Sequence, residues 1–165
     1  MDLKLLLQNS PAFGLLPAPQ IEALAQSLKT GIFPQGHIFC AQGQPGDAMY
    51  ILTDGRVRIT EVDELAHLPR DSKDLHSGEA FALLAMVEDL PSPSTCTALT
   101  MVEAAVLTRE SFEALRATAP SVARQVQYMI AVQLARDLQN RNKSLRALLE
   151  REVTIAITQA RRKPA

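Results

Sequence analysis

Between Pro34 and Thr60 the chain reads PQGHIFCAQGQPGDAMYILTDGRVRIT, with glycines at 36, 43, 46 and 55. The apolar runs between these glycines are too short for helices. This part of the chain is therefore confined to short strands and tight turns. Asp54-Gly55 separates AMYIL from RVRIT and predicts a hairpin, because a type I′ turn needs positive φ at both central positions. Within RVRIT, Val57 and Ile59 alternate with Arg56 and Arg58, the pattern of a strand with one face covered.

The flanking segments follow a different period. Residues 3–8 and 20–29 read as helices. In the second, Ile21, Leu24, Ala25 and Leu28 share a face, and Gly31 lies just past the end. Residues 61–77 are polar and read as a loop running into another strand. TALTMVEAAVLT returns to strand character, and RESFEALRATAP reads as a short helix with Phe112 and Leu115 on one side. The expected class is α+β.

Pro120 suits a first helical turn, and residues 121–160 contain neither Gly nor Pro. Val126, Ile130, Leu134, Leu138, Leu145, Leu149 and Val153 form one apolar stripe, interrupted around Arg141 and Asn142. A helix of roughly 35–40 residues would be about 55 Å long, more than a small domain can cover. Such a stripe either folds back over its own body or meets a copy of itself, as in a parallel coiled coil. The second outcome is the expectation, with Val126, Ile130, Leu134, Leu138, Leu145 and Leu149 as a homodimer interface. The domain plan is a body over 1–119 and a dimerisation helix over 120–160.

The 165 residues are 47% hydrophobic but only 4% aromatic, with no Trp, so the core must be mainly aliphatic. No apolar run approaches the roughly 18–20 residues of a membrane span. The N-terminal stretch has no basic leader or small-residue cleavage site, so a cytoplasmic protein is expected. Cys40 and Cys96 are too few for a disulfide scaffold and read as two buried thiols in a reducing compartment. His37, His67 and His76 lack metal-ligand spacing, and no metal or cofactor is expected; a haem reading of His37 or His76 has no support in the sequence. No nucleophile, base and orienting group can be assembled, so an enzyme is not expected. Glu79 and Asp89 read as loop carboxylates. Charge is divided along the chain: residues 1–119 hold 8 Lys and Arg against 15 Asp and Glu, and residues 120–165 hold 9 against 3.

The stretch GEAFALLAMVEDLPSPSTCTALT, residues 78–100, has the layout of a phosphate-holding loop but contains no basic residue. Together with PQGHIFCAQGQPGDAMYILTDGRVRI and AAVLTRESFEAL, it resembles the cyclic-nucleotide-binding domain of the catabolite-activator and Fnr type of regulators. The resemblance covers roughly residues 5–140. It implies an antiparallel β-roll, jelly-roll or cupin-like, with N-terminal helices and a long C-terminal helix. In nucleotide-binding members the loop reads F-G-E, then a short helix, then P-R-S/T-A. The Glu accepts a hydrogen bond from the ribose and the Arg pairs with the cyclic phosphate. Here Phe81 and Pro91 match. Ala82 stands for the Gly, Leu83 for the Glu and Ser92 for the Arg, while Pro93 and Ser94 replace the small pair.

A charged hydrogen bond contributes about 1.5–3 kcal/mol, so two missing anchors weaken binding by about 3–6 kcal/mol, or about 10²- to 10⁴-fold. The candidate ligand residues are Gly78, Glu79, Phe81, Ala82, Leu83, Leu84, Ser92, Ser94 and Thr95. Among them the hydroxyls of Ser92, Ser94 and Thr95 remain for a neutral or differently placed ligand. The resemblance also implies a winged helix-turn-helix after the long helix. The residues after Leu149 are too few for one, so sequence-specific DNA binding is not expected. The expected function is a dimeric, non-enzymatic regulatory module acting through an unknown protein partner. The alternative is a stand-alone sensor of a small molecule, a cyclic nucleotide or a related ligand, that signals through its C-terminal helix.

Overall fold

In the computed structural model, which describes residues 2–10, 13–62, 69–87 and 90–162, two four-stranded antiparallel sheets carry the glycine-punctuated part of the chain. The strands are β1 (Lys29–Phe33), β2 (Ile38–Cys40), β3 (Ala48–Asp54), β4 (Val57–Val62), β5 (Pro69–Leu75), β6 (Ala80–Phe81), β7 (Thr95–Ala98) and β8 (Val102–Thr108). One sheet has the order β1-β8-β3-β6 and the other β2-β7-β4-β5. Helices α1 (Leu3–Asn9), α2 (Ala18–Ser27), α3 (Arg109–Thr118) and α4 (Pro120–Arg162) complete the α+β architecture.

The AMYIL run is continuously apolar because β3 is covered on both faces. Ala48, Tyr50 and Leu52 enter the core between the two sheets, with Val57, Leu75, Cys96 and Ala98 of the opposing sheet. Met49 and Ile51 enter a second core with Leu7, Phe13, Ile21 and Leu24 from the helical side. β8 splits in the same way, Val102 and Ala104 to one core and Ala105 and Leu107 to the other. The few aromatic residues concentrate between the sheets, where Phe39 makes edge contacts with Phe33, Tyr50 and Phe81 at 4.9–5.1 Å.

Local signals set most boundaries. The Asp2 carboxylate accepts from Lys4 N–H and opens α1, and the Thr108 hydroxyl accepts from Ser111 N–H and opens α3. Phe112 and Leu115 are buried, as the helical period predicts. Gly31 falls inside β1 rather than just past α2, because the second helix ends at Ser27. Residues expected to form a loop from 61 are strand at Glu61 and Val62, and β5 pairs with β4 in a register that opposes Arg58 to Asp74. Their side chains form a forked pair, with Arg58 Nε 2.7 Å and Nη2 3.0 Å from the two carboxylate oxygens.

Asp54-Gly55 does not close a hairpin. β3 pairs with β8 and β6, and β4 pairs with β5 and β7, so the chain passes there from one sheet to the other. Gly55 has φ 91°, whereas Ala82 is the one non-glycine with positive φ among the described residues. The dipeptide supplies a sharp corner, and sheet membership is decided by what each strand packs against.

The long helix changes role along its length. Val122, Ala123, Val126 and Ile130 are buried in the helix-side core. The first compact unit accordingly runs through Ile130, beyond the boundary expected at 119, and residues from Ala131 form a second unit. The assignment of Val126 and Ile130 to a homodimer seam is therefore corrected: at 0% and 7% exposure they are occupied by their own body. In the second unit Leu134, Leu138, Leu145, Leu149 and Val153 are exposed, from 39% at Leu134 to 61% at Leu138. No helix among the described residues is long and apolar enough to cross a membrane.

Candidate functional site

The phosphate-loop-like stretch lies where the chain crosses between sheets. β6 belongs to one sheet and β7 to the other, and a short 3-10 helix, Leu83–Met86, lies between them. At its entrance Ala82 adopts φ 54°, ψ 31°, a left-handed conformation. An L-residue there costs about 1–2 kcal/mol, which explains why the resemblance places glycine at this position. The strained turn is held from both sides. Phe81 stacks on Tyr50 at 5.2 Å, and Leu83, Leu84, Ala85 and Met86 are all buried in the helix-side core.

A small pocket opens beside this turn, with a volume of about 40 Å³. That is room for a few waters rather than a nucleotide. Ala82, Leu83, Leu84 and Ala85 line one part, Ser92, Pro93 and Ser94 another, and Cys40, Gly46 and Cys96 the rest. No charged side chain is among them. Gly46 is needed for the close approach, because a Cβ there would meet Ala85 Cβ at 2.7 Å. The Ser92 hydroxyl is directed at its own loop. It donates to Ser94 O at 2.7 Å and approaches Cys40 Sγ at 3.5 Å.

The structure thus brings Ala82, Leu83, Leu84, Ser92 and Ser94 together and places the other expected ligand residues elsewhere. Phe81 is a core aromatic. The Thr95 hydroxyl accepts from Gln42 N–H at 3.0 Å. Gly78 is a connection whose N–H donates to Leu52 O and whose carbonyl accepts from Ser10 Oγ. Glu79 accepts from Lys73 Nζ and from His76 N–H, each at 2.8 Å. Partial burial raises its carboxyl pKa, but these two partners outweigh that and hold it below the ordinary carboxylate value. Glu79 is committed to its own loop. Among the described residues no group of three or more His, Cys, Asp or Glu side chains is placed to hold a metal ion. His67 and Asp89 lie outside the described residues.

Two features were missed in the sequence. Arg109 Nη2 donates to Gly46 O at 3.0 Å and Ala85 O at 2.9 Å, tying both sides of the pocket rim to the start of α3. Its position after a strand and before a helical pattern was the available signal. The second is the cysteine pair. In an uninterrupted register set by Ile38↔Thr97, Cys40 would oppose Thr95, but a bulge in β2–β7 opposes it to Cys96. A hydrogen bond from the Cys96 thiol, helped by Ser92 and opposed by burial, brings the Cys40 pKa down to about 6. The same contact and burial push Cys96 up.

The cyclic nucleotide-binding domain family matches residues 31–119. The chain is 29% identical over 124 residues to a CRP-like cAMP-activated global transcriptional regulator of Mycobacterium tuberculosis, covering 73% of this chain and 53% of that protein. It is 28% identical over 122 residues to a cAMP-dependent protein kinase regulatory subunit of Emericella nidulans, covering 74% of this chain and 29% of that one. The chain thus spans about half the length of the first relative and under a third of the second. Among solved structures, the Thermus thermophilus catabolite activator protein superposes with a TM-score of 0.69 at 27% identity, over 84% of this chain and 63% of that one.

Proposed function

The chain belongs to the cyclic nucleotide-binding domain family, and we propose that it is a non-enzymatic regulatory module of that family whose loop has lost its charged grip on a nucleotide. The observation that carries this reading is the pocket wall. Ser92 stands at the expected Arg position with its hydroxyl bound to Ser94 O, and Leu83, at the expected Glu position, is packed in the apolar core. A cyclic phosphate entering here would give up water for no cation, and a ribose hydroxyl would meet a leucine. Calorimetry with cyclic AMP and cyclic GMP tests it. The expected dissociation constants are no tighter than roughly 0.1 mM. A low-micromolar value would overturn the reading.

The output surface in this proposal is the second half of α4. Its exposed leucines fit a second copy of the chain, and the resulting homodimer would present the basic C-terminal segment to an acidic protein partner. The alternative, a small-molecule sensor, is favoured by one observation: the pocket lies at the cassette and is lined by Ser92, Ser94 and two thiols. A ligand there would be small and uncharged. Native mass spectrometry of the purified protein would reveal it as a bound species released on denaturation.

A further inference from the structure

We propose that Cys40 and Cys96 form a dithiol modification site on the wall of this pocket, oxidised by a peroxide to an intramolecular disulfide between β2 and β7. The proposal does not depend on whether the loop holds a nucleotide. Residues directly opposed in an antiparallel pair have Cα atoms about 4.5–5.5 Å apart, within the roughly 4.4–6.8 Å that a disulfide spans. The β2–β7 bulge produces that opposition for these two residues. Both thiols are free and buried, yet both line the pocket. A volume of about 40 Å³ admits a molecule the size of hydrogen peroxide while excluding a protein disulfide or a second copy of the chain.

The two sulfurs are not equivalent. Cys40 is opposed to Cys96 and lies 3.5 Å from Ser92 Oγ, its own S–H facing Ser94 O at 3.7 Å, and the Cys96 and Ser92 neighbours favour its thiolate. It is the nucleophile, because the thiolate rather than the thiol attacks peroxide. Its electron pair breaks the O–O bond, giving Cys40 sulfenic acid and hydroxide, which takes a proton to leave as water. The Cys96 sulfur then attacks the Cys40 sulfur. The S–O bond breaks, and the departing hydroxide takes the Cys96 proton as a second water. Two thiols are oxidised and one peroxide is reduced. The new bond withdraws Cys40 Sγ from Ser92 and ties β2 to β7 next to the Ser92–Ser94 turn, so oxidation state changes the wall of the pocket.

The test is intact-mass spectrometry of the full chain after brief exposure to hydrogen peroxide, followed by denaturation and alkylation. The expected product is a monomer lighter by two hydrogens that takes up no alkyl group. Dithiothreitol should restore both alkylation sites. Two alkylatable thiols persisting after exposure, or a disulfide found only between chains, would overturn the proposal. The wild-type measurement decides this without any variant. Cys96→Ser then assigns the order: it should accumulate a sulfenic acid at Cys40 that dimedone, added together with denaturant, traps. Trapping in Cys40→Ser at Cys96, and none in Cys96→Ser, would overturn the assignment of Cys40 as the attacking sulfur.

Discussion

At Ala82 the backbone conformation and the side chain disagree. The turn into the 3-10 helix requires a left-handed residue, and the alanine Cβ opposes it by about 1–2 kcal/mol. Ala82→Gly removes that strain but adds unfolded-chain entropy of about 0.5–1 kcal/mol. The net expectation is a gain of about 0.5–1 kcal/mol, read as a melting temperature higher by roughly 1–4 °C. A lower melting temperature would show that the strain is not there. Cys40 offers a second measurement at this scale. Its acidity is increased, so the reactive thiolate grows in as pH rises through about 6. The rate at which hydrogen peroxide consumes the thiol in the native protein, read by alkylation after denaturation, should rise through that pH and level off near neutrality. An ordinary thiol would continue to accelerate beyond about pH 8.5.

At the scale of elements, α4 serves two environments. Up to Ile130 its apolar side chains complete the body. Beyond it, Leu138 and Leu145 are 61% and 56% exposed. The two stretches therefore respond differently to substitution. Leu138→Glu with Leu145→Glu should leave the melting temperature of the body nearly unchanged. By light scattering, a species of twice the 18.0 kDa chain mass should fall to the monomer. Ile130→Ala should instead cost about 2–4 kcal/mol of stability, as truncation in a packed core does. A wild-type chain that is monomeric at all concentrations would end the homodimer proposal.

At the scale of the whole molecule, the charge division gives a net −7 over residues 1–119 and +6 over 120–165. A basic segment of this kind attracts any polyanion, so the protein-partner proposal must be separated from nucleic-acid binding. Labelled duplexes of unrelated sequence, titrated at about 50 and 200 mM salt, separate them, because phosphate-driven affinity collapses across that range. Weak binding at the lower salt, none at the higher and no preference among sequences are expected. Sequence-selective binding that survives the higher salt would replace the protein-partner proposal with DNA recognition.

Periodicity in the sequence determined most of the strands and helices, since apolar spacing is a local property that folding preserves. Val57 with Ile59, Phe112 with Leu115, and the stripe through α4 were legible for that reason. The substitutions at 82, 83 and 92 were legible once the loop was recognised, because a missing charge is visible without coordinates. Periodicity shows that a face is apolar but not what covers it. The core was therefore needed to show that the stripe is interior at Val126 and Ile130 and exposed from Leu134. Sheet membership at Asp54-Gly55 likewise depended on strands distant in sequence. The pairing of Cys40 with Cys96 followed from a one-residue bulge, and a shift of one residue in register changes every partner across a strand pair.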